Sequence, residues 1–137
     1  MGATASNGGP ARGRPLSPFM TIYRMSRYCL LTSITNRIAG GVTSLGLPLL
    51  AYWLITVASG ERAYSSAQPA LSHPVLQAFY ALLLLAFAYH LVAGIRHLIW
   101  DTGRGIERRE SQVSAWVVIA SSLALAAVLI WWAFWAR

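Results

Sequence analysis

From Ile38 to Val57 the chain runs without a single charged residue, and no other feature narrows its folding so far. Coiled as a helix at ~1.5 Å per residue, such a run reaches across the ~30 Å hydrocarbon core of a bilayer. Two further segments are also long and predominantly apolar. Pro74 to Trp100 passes through Ala78-Phe79-Tyr80-Ala81-Leu82-Leu83-Leu84-Leu85, and Val113 to Trp135 is apolar throughout. Pro48 would break a soluble helix at its position, but a membrane helix accommodates it with a kink. Hydrophobic residues make up 56% of the chain and charged ones 11%, too skewed a balance for a water-soluble domain of this size. The sequence therefore predicts an all-α integral membrane protein. Residues 1–29 form an N-terminal segment whose Gly/Ala/Ser/Asn start is expected to be disordered, and residues 30–137 a three-helix membrane domain with spans at 38–57, 74–100 and 113–135.

The formal charge of +7 comes from arginine alone, because the chain has no lysine. Arg12, Arg14, Arg24, Arg27 and Arg37 precede or open the first span, and Arg104, Arg108 and Arg109 lie between the second and third. The connection between the first and second spans offers only Arg62, beside Glu61. By the positive-inside rule, the N-terminus and the second connection face the cytoplasm or matrix and the C-terminus faces outside. Trp131, Trp132 and Trp135 then anchor the third span at the outer interface. Nucleic-acid binding is excluded, since no basic face could clear the bilayer to meet a duplex. Cys29, the sole cysteine, rules out an intrachain disulfide and a cysteine-based zinc or iron–sulfur cage, and reads as a small apolar residue. No secretory signal precedes the first span, and a bacterial inner membrane is favoured over the mitochondrial inner membrane.

Within the second span His90, Gly94, His97 and Asp101 recur at i, i+4, i+7 and i+11, which places them on one helical stripe. Ionisable groups at membrane depth are costly and mark function by default. His90 lies about 10 Å deeper than His97 at helical rise, so its imidazole needs a hydrogen-bond partner or a metal. Both remain open on the stripe alone. A buried histidine bonded to a neighbouring helix satisfies the pattern, and so does an axial haem ligand with Gly94 leaving room for a flat macrocycle. In the haem case a six-coordinate iron takes its second ligand from another chain. At the start of the first span Ser33 and Arg37 are four residues apart, so a hydroxyl and a guanidinium face the same way. They could donate to a quinone carbonyl; equally, Ser33 could cap the helix and Arg37 snorkel to the interface.

Three of these segments resemble the cytochrome b anchor subunit of succinate dehydrogenases. Arg14-Pro15-Leu16-Ser17-Pro18 followed by Ile22-Tyr23 is similar to that family's N-terminal signature. Ser33-Ile34, Asn36-Arg37 and Gly40 resemble its quinone-side motif, and His90-x-x-x-Gly94-Ile95-Arg96-His97-Leu98-Ile99-Trp100-Asp101-x-Gly103 its haem-helix motif, the most specific of the three. The resemblance implies three helices packed with a second membrane anchor around haem b, in a complex with iron–sulfur and flavoprotein subunits. It implies that His90 is an axial ligand and that Ser33 and Arg37 line a ubiquinone site. Arg37 would lie near a haem propionate as well, with His97 and Asp101 at the same end, where protons reach the reduced quinone. Asn36 stands where many members carry histidine, Ala39 where a small hydroxyl residue is common, and the segment before Ser33 is about one residue longer than usual. Two readings from other classes compete: a transporter subunit relaying ions through Arg37, His90 and Asp101, and a haem-free structural anchor.

Overall fold

The computed structural model describes residues 27–136, so the Arg14–Pro18 motif and the arginines before it lie outside the described residues. Four helices follow one another: α1 (Arg27–Ala58), α2 (Glu61–Leu71), α3 (Pro74–Asp101) and α4 (Arg108–Trp135). Three of them, α1, α3 and α4, are long and apolar enough to cross a membrane, and among the described residues there is no strand. Helix α1 begins at Arg27, eleven residues before the uncharged run, and passes through Pro48 without interruption. That early start removes one reading of Ser33, which lies in the second turn of α1 and is not its cap.

The short connection between the first two spans is itself helical. Gly60, at φ 94°, adopts a backbone conformation that glycine enters without a Cβ penalty, and it turns the chain from α1 into α2. Helix α2 lacks an unbroken apolar run, which is why span-length reasoning passes over it. Its polar and apolar residues instead segregate about the axis, with Ala67 buried. His73 then caps α3: its Nδ1 accepts a hydrogen bond from the Val75 amide at 3.3 Å, and Pro74 occupies the first helical turn, where no intrahelical donor is needed. The third histidine of the chain is thus structural.

Helix α3 packs against both α1 and α4, which touch each other more sparingly. The contact surfaces are built from small side chains. On α3 the buried residues include Ala86, Ala88 and Ala93; on α4 they are Ser111, Ala115, Val118, Ser122 and Ala126, repeating every three or four residues down one face. The large side chains, among them Leu31, Leu45, Leu98, Val128, Trp131, Trp132 and Trp135, are exposed. This arrangement inverts a soluble protein, as expected where lipid solvates the bulky groups and close backbone approach holds the helices together. Buried hydroxyls are satisfied within their own helices: Thr32 donates to the Cys29 carbonyl at 3.1 Å, Thr56 to Trp53 at 2.7 Å and Ser122 to Ile119 at 3.0 Å.

Ala88 is fully buried, so Ala88→Leu should overpack the interface and cost about 1–3 kcal/mol. Thermal denaturation in detergent is expected to show a clear fall in the transition temperature for Ala88→Leu and a much smaller one for Ala88→Ser.

Candidate functional site

Helices α1 and α3 come closest where the chain has no side chain to separate them. A Cβ placed on Gly40 would lie 2.9 Å from His90 Cε1 and 3.1 Å from His90 Nδ1, so the imidazole of α3 rests directly on the α1 backbone. There His90 Nδ1 lies 3.1 Å from the carbonyl oxygen of Asn36, one turn before Gly40. A carbonyl can only accept, so Nδ1 carries a proton, and in the neutral tautomer that this selects the lone pair is on Nε2. His90 is exposed on the outside of the three-helix bundle, and Nε2 has no partner among the described residues. This is the arrangement in which histidines bind metals: one nitrogen fixed by a hydrogen bond, the other presented outward.

One turn further along, Gly94 has open space where a Cβ would point. His97, half-buried, holds its Nδ1 2.7 Å from the Ala93 carbonyl of its own helix and lies edge-on to Trp100, with ring centroids 5.3 Å apart. Asp101 ends α3 and is exposed. Arg37 is exposed and Ser33 half-buried, at the end of α1 that packs beside the C-terminal half of α3. The sequence-derived residues therefore gather at the arginine-rich end of the bundle but do not enclose a cavity. Two cavities, of about 640 and 300 Å³, are lined by none of them. Among the described residues no three His, Cys, Asp or Glu side chains approach closely enough to cage a metal ion.

Two features at this end escape a reading of motifs. Arg96 is only 5% exposed: its Nη1 donates to Thr32 Oγ1 at 3.0 Å, its Nη2 to the Ser111 carbonyl at 3.1 Å, and its guanidinium stacks 4.0 Å over Trp100. It thereby joins α1, α3 and α4. Its position within the haem-helix pattern was visible; its direction, into the bundle and away from the His90 stripe, follows from a rotation of 600° over six residues, equivalent to 240°, at 100° per residue. Cys29 is the second, and here the reading of a simple apolar filler is corrected. Its Sγ lies 3.2 Å from Ser111 Oγ and 3.8 Å from Arg96 Nη2, so it belongs to the same polar cluster. Tyr89 adds a hydrogen bond from its hydroxyl to the Thr32 carbonyl at 3.2 Å. Asn36 contributes its backbone to His90, while its side-chain Oδ1 is buried without a partner.

The fold defines a small multi-pass membrane protein of three long apolar helices, with an exposed histidine on the second. Residues 10–129 match the family described as succinate dehydrogenase/fumarate reductase transmembrane subunit, and the chain belongs to that family. It is 33% identical over 122 residues to the succinate dehydrogenase cytochrome b556 subunit of Paracoccus denitrificans, covering 85% of this chain and 89% of the relative. Similarity to the cytochrome b560 subunit of Reclinomonas americana reaches 36% over 126 residues, with 87% and 84% covered. The Coxiella burnetii cytochrome b556 subunit is 35% identical over 122 residues, with 86% and 97% covered.

Gly40 is the most exacting position in the site. Gly40→Val should push the imidazole off the Asn36 carbonyl, whereas Gly41→Val, with open space at its Cβ, should not. NMR of the complex labelled with ¹⁵N-histidine is expected to lose the hydrogen-bonded Nδ1–H resonance of His90 in the first variant and keep it in the second.

Proposed function

We propose that this chain, a membrane-anchoring cytochrome b subunit of succinate dehydrogenase, binds one axial position of a haem b through His90 Nε2 and contributes Ser33 and Arg37 to the site of ubiquinone reduction. The observation that carries the reading is the 3.1 Å contact between His90 Nδ1 and the Asn36 carbonyl. It sets the tautomer, aims Nε2 out of the bundle and stiffens the ring against rotation. The residues fit the group. Neutral imidazole is a haem ligand in electron-transfer cytochromes, and the open space beside Gly94 leaves a flat face for a macrocycle to lie against.

No opposing ligand comes from the described residues. His97 is on the same helix and bonded to Ala93, and His73 caps the far end of α3. A second membrane anchor would supply the remaining ligand, as the family resemblance implies. Haem, when bound, supplies a one-electron carrier beside the quinone pocket. Arg37 and His97 neutralise the propionates, Ser33 and Arg37 donate hydrogen bonds to a quinone carbonyl and stabilise the negative charge that grows there on reduction, and Asp101 accepts and passes protons at the exposed mouth. The iron–sulfur and flavoprotein subunits dock on the same side, where Arg104, Arg108 and Arg109 cluster. By the charge rule that side is the cytoplasm of a bacterial inner membrane, or the matrix in a mitochondrial one.

The first test is a dithionite-reduced minus oxidised spectrum of the purified complex, wild type beside His90→Ala, with the iron–sulfur subunit followed by blot. A b-type band lost or strongly altered in the variant is the expected result; a wild-type complex that keeps its partners but has no haem band would overturn the haem reading. For the quinone site, Ser33→Ala and Arg37→Gln should each raise the KM for ubiquinone about tenfold, the equivalent of ~1.4 kcal/mol for a hydrogen bond to a charged or charging group. Succinate oxidation with a water-soluble dye acceptor should be unchanged in both. A reporter fused after Arg137 is expected outside the membrane.

A further inference from the structure

Resting on the haem reading above, we propose that Arg96 is an electrostatic tuning residue, whose buried positive charge raises the reduction potential of the haem held at His90. Four observations converge on it. The guanidinium is 5% exposed and lies within a helix long and apolar enough to cross the membrane. Its contacts include no carboxylate: they are a threonine hydroxyl, a backbone carbonyl, a cysteine sulfur and an indole face. Its Nε is buried without any partner. No carboxylate balances it, because the chain has only four acidic residues. Of these Glu61 is at the opposite end of the bundle, and Asp101, Glu107 and Glu110 are all exposed.

A buried charge without a counter-ion is expensive, and a neutral side chain could fill and bridge this site at lower desolvation cost. What a neutral residue cannot supply is a field. Arginine keeps its charge where lysine and histidine can lose theirs, and the surrounding helices and lipid screen that charge far less than water would. His90 is six residues from Arg96 on the same helix, about 9 Å along the axis. Reduction of the iron by one electron adds one negative charge outside that helix face, and a fixed positive charge behind it favours the reduced state. The polar cluster of Thr32, Ser111 and Trp100 fixes the guanidinium so that the field is present before the electron arrives.

The test is a redox titration of the haem in the intact complex, with the optical spectrum confirming unchanged ligation. Arg96→Met, which keeps an unbranched side chain of similar reach but removes the charge, should lower the midpoint potential. Thr32→Glu provides an independent reading should Arg96→Met fail to assemble. It retains the guanidinium and brings a carboxylate within reach of it from the position whose Oγ1 now lies 3.0 Å from Arg96 Nη1, so it too should lower the potential. An unmoved potential in Thr32→Glu or Arg96→Met would overturn the inference while leaving the haem assignment intact. Absence of a haem band from the wild-type complex would instead remove the functional reading and this inference together.

Discussion

The rest of the structure depends on the close approach of α1 and α3 at Gly40. Because a Cβ there would meet the His90 ring at 2.9 Å, the absence of one lets the imidazole lie on the α1 backbone and bond the Asn36 carbonyl. That carbonyl is already committed to the helix, and its second lone pair is what the histidine uses. A backbone acceptor does not rotate and does not titrate. The orientation of the outward nitrogen is thus fixed by the packing of two helices, and the ligand and the fold are one problem.

Lipid as the surrounding solvent explains the composition of the interior. With no hydrophobic force between helices, tight contact requires small side chains, and the buried faces of α3 and α4 are dominated by alanine and serine while leucine, isoleucine and tryptophan face outward. Polar groups inside such a bundle must find partners within reach. Thr32 illustrates the economy: its hydroxyl donates to Cys29 and accepts from Arg96, while its carbonyl accepts from Tyr89.

The number and approximate place of the long helices were legible in the sequence because each contains a long, predominantly apolar run, and that signal needs no tertiary context. Helix α2 was not legible, since an eleven-residue amphipathic segment containing Pro69 resembles a polar loop when only runs are counted. The start of α1 was placed late for the same reason: Arg27 to Arg37 is helical but interrupted by charge and hydroxyls. The stripe of His90, Gly94, His97 and Asp101 followed from helical periodicity alone. What periodicity cannot supply is the neighbour on the next helix. The Asn36 carbonyl, the clearance at Gly40 and the inward turn of Arg96 are all relations between elements, and Cys29 was misjudged because its partner Ser111 is eighty-two residues away.

The bundle is unevenly braced along its length. At one end Arg96, Thr32, Cys29, Ser111 and the Trp100 indole bonded to Gly105 cross-link all three long helices. Toward the other, beneath α2, lies a cavity of about 640 Å³ bounded by Leu50, Trp53, Tyr80 and Leu84. The interhelical hydrogen bonds of Arg96, Tyr89 and His90 thus all lie in the half of the bundle that holds the site residues, and the half beneath α2 relies on the fit of its side chains.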